Sequence, residues 1–169
     1  MALSERLEIA KRHIQSSRDY LLTLLDGLDE ADWTWMPNPA ISHIAWQVGH
    51  LAMAQYGLCL FRQRGRADID SDLMSGSFRK KFMKGTHPVG GAENYPPSSE
   101  ILSVLEGIHR QTMLELPDFD GEQLDQPLEQ PYAAFATRYG SLIFAGDHEM
   151  LHAGQIGMLR RLMGKPPVR

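Results

Sequence analysis

The spacing of apolar residues along the chain predicts four long helices. In each of four segments, apolar side chains recur at intervals of three and four residues, which places them on one face of an α-helix. The segments run from about residue 4 to 28, 42 to 64, 98 to 116 and 139 to 163. The prolines lie at their boundaries, where they do not interrupt a helix. The pattern therefore predicts an all-α protein built as a four-helix bundle.

Two long connections separate these helices, over residues 66–96 and 117–138. Four long helices joined with two long crossover connections are typical of helical bundles. Connections of this length are commonly functional or contain short elements of their own, and we expect one short helix near residues 78–83. The first connection is rich in glycine and carries three aromatic residues, Phe78, Phe82 and Tyr95. It is a candidate lid over a substrate, although an ordinary packing role fits equally well.

Composition and charge narrow the class of protein. The length predicts one domain over residues 1–169. The net charge of −4 does not suit nucleic-acid binding, which usually needs a basic surface. No apolar run is long enough for a membrane span, and the charged N-terminus does not resemble a signal peptide. We therefore expect a cytoplasmic protein that binds neither nucleic acid nor membrane.

Histidine spacing provides the main chemical signal. His148 and His152 are four residues apart in the fourth helix, so their imidazoles project from one face about one turn apart. His50 lies in the apolar second helix, and bundles build metal sites from side chains on facing helices. His43 is about 10 Å of helix rise from His50, too far to share an ion. With a single cysteine, Cys59, a metal site here must use imidazole, carboxylate and water.

Glu149 follows the first histidine of this pair, so the text reads H-E-x-x-H, as in zinc proteases. Only seventeen residues follow His152, none of them histidine, aspartate or glutamate, which argues against a protease. A hydrolase in which Glu149 is the base for metal-bound hydroxide stays open. A metal-binding histidine usually donates the N–H of its second ring nitrogen to a nearby acceptor. The candidate acceptors here are Asp147, Glu149 and Gln47, and Gln155 is a weaker candidate.

Three segments together resemble the DinB-like (YfiT-like) metal-binding superfamily. Residues 41–52, ISHIAWQVGHLA, resemble its segment ending in GHLA, and residues 147–156 resemble its last metal-binding helix. Residues 96–102 resemble the start of its third helix. The resemblance implies a four-helix bundle with a three-histidine site for a divalent metal ion. In this chain the matching ligands are His50, His148 and His152.

The same resemblance implies a class of activity. The family includes thiol S-transferases that use bacillithiol and a mycothiol-dependent isomerase. It therefore implies a metal-dependent thiol transferase that acts on a small-molecule substrate with a low-molecular-weight thiol. Imidazole ligands suit zinc, nickel and iron alike. A metallohydrolase and a non-catalytic bundle braced by metal stay open as alternatives, and apolar helix faces in a bundle of this size are compatible with a homodimer.

Overall fold

Four long helices dominate the structure, as the apolar spacing predicts. A computed structural model describes residues 2–132 and 135–168. In chain order its α-helices are α1 (Leu3–Leu25), α2 (Glu30–Thr34), α3 (Ile44–Gln55), α4 (Arg62–Arg64), α5 (Asp70–Leu73), α6 (Gly76–Phe82), α7 (Ser98–Glu115), α8 (Gly121–Leu124) and α9 (Arg138–Leu162). Helix α1 packs along α9, and α3 packs along α7. Helix α3 also contacts α9, which brings the two histidine segments together.

The second long helix is less regular than its sequence suggests. It begins at Ile44 because the His43 ring nitrogen Nδ1 accepts a hydrogen bond from the backbone N–H of Trp46 (3.1 Å) and so caps the first turn. After α3 the chain forms a π-helix over Tyr56–Phe61 and then the short α4. A π-helical turn contains an extra residue. The side chains that follow are therefore rotated relative to the continuous helix that we predict over residues 42–64.

The starts of α1 and α7 lie within one residue of the predicted boundaries. Ser4 lies within the first turn of α1, because that helix begins at Leu3 and its N-cap residue is Ala2. Ser98 is the first residue of α7 rather than its cap. Its backbone N–H and its hydroxyl both donate to the carboxylate of Glu30, at 2.8 Å and 2.5 Å. A carboxylate near the start of a helix interacts favourably with the helix dipole, so this contact ties α2 to the start of α7.

The long connections contain short elements of their own. The first holds α5, α6 and a 3-10 turn over Ala92–Asn94, and α6 is the short helix expected there. The second holds a 3-10 turn, α8 and an antiparallel hairpin of β1 (Pro127–Tyr132) and β2 (Phe135–Thr137). This hairpin is not predicted from the sequence. It leads directly into α9, whose first turn is capped by the Thr137 hydroxyl.

Apolar side chains from the long helices fill the interior in two clusters. One includes Leu21, Val48 and Ile156, and the other includes Ile14 and Leu142. Burying a side chain of this size contributes about 1.5–3 kcal/mol, so these clusters are the main stabilising contribution to the bundle. Within residues 2–132 and 135–168, no helix is both long enough and apolar enough to cross a membrane.

Candidate metal centre

The three predicted histidines converge between two helices. His50 lies on α3, while His148 and His152 lie one turn apart on α9. The ring centroid of His50 is 5.3 Å from each of the other two, which are 4.8 Å apart. One ring nitrogen from each histidine lies within 4.8 Å of the others. Two nitrogens on one zinc ion are about 3.4 Å apart, so small side-chain rotations suffice to bind one ion.

Hydrogen bonds orient two of the three imidazoles. His50 Nδ1 lies 2.9 Å from the backbone carbonyl oxygen of Phe82, and because a carbonyl only accepts, Nδ1 must carry the proton. His152 Nδ1 lies 3.2 Å from the side-chain oxygen of Gln47 and donates to it in the same way. Both rings then present an unprotonated Nε2. This is the usual arrangement for a metal-binding histidine, whose other nitrogen donates to a protein acceptor.

Burial keeps these histidines neutral. Burial, together with a smaller effect of the neighbouring imidazoles, lowers the pKa of His148 to about 4 and that of His152 to about 3. Burial likewise lowers the pKa of His50, and the charge of Lys84 adds to that effect. At neutral pH all three rings therefore carry a free lone pair. A neutral imidazole is the form that binds a metal ion, so the donor set fits a divalent transition metal.

The histidines line one wall of a pocket of about 420 Å³. Its other walls are largely apolar and include Trp46, Met53 and Phe144. The Trp46 ring stacks on His50 with 4.8 Å between centroids and 5° between planes. A pocket of this size fits a small molecule. The sequence identifies the three histidines, but it carries no signal that points to Met53 or Phe144, which reach the pocket only through tertiary packing.

Of the predicted acceptors, only Gln47 contacts a ligand histidine. The Asp147 carboxylate is 2.9 Å from His13 instead. Glu149 is buried and accepts a hydrogen bond of 2.6 Å from Arg18 Nε. Its carboxylate is paired with Arg18 and is not among the pocket-lining residues, which speaks against the alternative in which Glu149 is the base for metal-bound hydroxide. Gln155 is exposed and lies in a separate surface depression, so the suggestion that it faces the histidines is wrong.

The remaining histidines lie outside the pocket. His43 is buried at the start of α3, and its ring packs edge-on against Tyr95. His109 lies between two glutamine side chains, with Nδ1 3.2 Å from Gln55 and Nε2 3.1 Å from Gln15. His87 is exposed. None of these three side chains is positioned to bind the same ion as His50, His148 and His152.

The first connection packs two of its three aromatic side chains into the core. Phe78 and Phe82 are 4% and 0% exposed and belong to the core. A β-carbon added at Gly49 would lie 2.4 Å from the Phe82 ring, so α3 and α6 can approach closely only because residue 49 is glycine. This close approach places the Phe82 carbonyl beside His50. The first connection therefore orients the candidate metal ligand His50 through the Phe82 carbonyl. The sequence gives no indication of that role.

The fold is similar to that of a solved structure, the crystal structure of a conserved protein from Enterococcus faecalis. The two superpose with a TM-score of 0.71 over 98% of this chain and 99% of the other, at 19% sequence identity. At this identity the likeness shows a shared fold. No curated protein matches the chain significantly.

A family model agrees with the resemblance seen in the histidine segments. The model of the DinB superfamily matches residues 13–156, a range that includes all three candidate ligands. The match covers most of the chain, and this protein therefore belongs to the DinB superfamily.

Proposed function

We propose that this protein binds a divalent transition metal ion through His50, His148 and His152 and acts as a metal-dependent thiol S-transferase on small molecules. One observation carries the proposal. Three neutral imidazoles from two helices converge on the wall of a largely apolar pocket of about 420 Å³. Three protein ligands leave a zinc-like ion at least one open position, as in catalytic sites. Zinc, nickel and iron all suit the ligand set.

The chain's own residues position and shield the reacting groups. The Phe82 carbonyl and the Gln47 amide oxygen hold the Nδ1 protons of two histidines and direct Nε2 toward the site. Trp46 and Phe144 cover apolar parts of a substrate and exclude water. A divalent ion bound here would supply Lewis acidity, which lowers the pKa of a coordinated thiol and makes it nucleophilic at neutral pH. Membership of the superfamily supports the choice of a thiol.

Elemental analysis of the purified, untagged protein tests the metal part of the proposal. We expect close to one ion per chain after loading with zinc or nickel. The His148→Ala variant should lose most of this metal while its helical circular dichroism signal is retained. His87→Ala is the matched control, because His87 is exposed and lies outside the pocket. Unchanged occupancy in His148→Ala would remove that residue from the ligand set.

Activity assays on the loaded protein test the transferase part. We expect a small thiol to displace chloride from an electrophile such as a chlorodinitrobenzene, which gives a thioether and free chloride, with little reaction by the metal-free protein. Turnover of an ester or amide without any thiol would support a metallohydrolase instead. A third outcome is that metal raises the thermal stability of the protein, but no thiol changes the absorption spectrum of the cobalt-substituted protein. That outcome would support a non-catalytic bundle stabilised by metal.

A further inference from the structure

Two cationic side chains lie at the same pocket as the histidines. Lys84 and Arg62 both line it, and no aspartate or glutamate is among the lining residues of the described chain. Lys84 is exposed and follows Phe82 by two residues, so the segment that orients His50 also places this ammonium group at the pocket. Two cationic side chains therefore share the lining with the three histidines, and a divalent ion bound by those histidines would add positive charge to the same pocket.

The shape and chemistry of the pocket limit what this charge can recognise. A volume of about 420 Å³ suits a small molecule rather than a polymer. The remaining lining residues are largely apolar and include Met53 and Phe144. A small ligand that reaches the histidines through this pocket therefore meets apolar surface together with the two cationic side chains, which favours a ligand with a short apolar body and a negative charge.

We infer that the pocket selects small organic anions and that Lys84, together with Arg62, determines this specificity. The inference rests on the proposed function, because the thiol group of the same ligand is the group that would bind the metal ion. Attraction between opposite charges at a partly solvated site contributes modestly to binding affinity. We therefore expect a ligand with a carboxylate to bind roughly three- to tenfold more tightly than a neutral analogue. Added salt should weaken this preference, since the ammonium group of Lys84 is exposed to solvent.

Two matched thiols test the inference. 3-Mercaptopropionate and 3-mercapto-1-propanol differ at the end remote from sulfur, where one is an anion and the other is neutral. Calorimetric titrations of the zinc-loaded protein should show the roughly three- to tenfold preference for the acid. Lys84→Gln and Arg62→Gln should each reduce it, and Lys84→Glu should abolish it. Lys80→Gln is the control, because Lys80 is an exposed lysine of α6 that does not line the pocket.

The design separates failure of this inference from failure of the proposed function. Metal content is measured first, and the metal-free protein is titrated in parallel. Wild-type protein that retains no metal contradicts the proposed function, while a preference for the acid in the metal-free titration would still support the inference. Protein that retains metal but binds the two thiols equally, or does not bind the acid, overturns the inference alone. An equal loss of preference in Lys80→Gln and Lys84→Gln would also overturn it.

Discussion

The ion pair between Arg18 and Glu149 should be among the most costly contacts to break in this protein. The two side chains are 2% and 3% exposed, and Arg18 Nε donates to Glu149 Oε1 at 2.6 Å. The guanidinium also donates to the side-chain oxygen of Gln55 (2.8 Å) and to the backbone carbonyl of Leu105 (3.2 Å). A single arginine on α1 thus joins α3, α7 and α9 through buried hydrogen bonds.

Removing one charge leaves the other buried without compensation, which typically costs about 3–5 kcal/mol. We expect this loss in the free energy of unfolding for Glu149→Gln. The total stability of a domain is about 5–15 kcal/mol, so the loss is a large fraction of it. With a urea dependence of about 2 kcal/mol per molar, the unfolding midpoint should fall by roughly 2 M. Glu106→Gln, at an exposed position of α7, should change stability by less than about 0.5 kcal/mol.

A double variant separates the cost of a lone charge from the value of the pair. Arg18→Met with Glu149→Leu replaces both ions by apolar groups, which is often close to neutral. Gln55 and Leu105 lose a donor, so we expect a residual cost of about 1–3 kcal/mol. Urea unfolding followed by far-ultraviolet circular dichroism at pH 7 measures all three variants. Wild-type stability in Glu149→Gln would refute this reasoning, and loss of metal from folded Glu149→Gln would return Glu149 to the metal site.

Three further predictions concern the surroundings of the site. Gln47→Leu removes the acceptor from a candidate ligand and should weaken metal binding about 10- to 100-fold in a chelator competition. Gly49→Ala forces the Phe82 ring aside and should lower stability by about 1–3 kcal/mol, whereas Gly154→Ala, with open space around it, should not. Burial lowers the pKa of His43 to about 4, so the unfolded chain binds a proton at this residue before the folded chain does as pH falls below 6.5. This difference lowers the free energy of unfolding by roughly 3 kcal/mol at pH 4, and His43→Asn should lack this contribution while it keeps those of the other buried histidines.

The parts of the structure that were predictable depend on local spacing. The long helices follow from the three- and four-residue period of apolar side chains, and the proximity of His148 and His152 follows from one turn of helix. Placing His50 beside them needs two helices to pack, and only the combination of segments, together with the family resemblance, indicates that. The site is thus partly a local property of α9 and partly a property of the bundle.

The features that were missed depend on contacts between distant parts of the chain. The Phe82 carbonyl reaches His50 across 32 positions, and Arg18 reaches Glu149 across 131. Neither partner carries a signal in its own segment. The hairpin of β1 and β2 is short and begins with a proline, so its sequence lacks the extended alternation of a strand. The π-helix likewise leaves no trace in the apolar spacing of residues 42–64.

The direction of Glu149 shows why a motif alone does not assign chemistry. At about 100° per residue, position 149 is rotated by about 100° from His148 and by about 60° from His152, so its side chain lies at the edge of the histidine face. A carboxylate at this position can turn toward the pocket or away from it. Here it turns away, because it pairs with the buried guanidinium of Arg18. The metal site and the ion pair should therefore be separable. His148→Ala should remove metal at little cost to folding, and Glu149→Gln should weaken folding without removing metal.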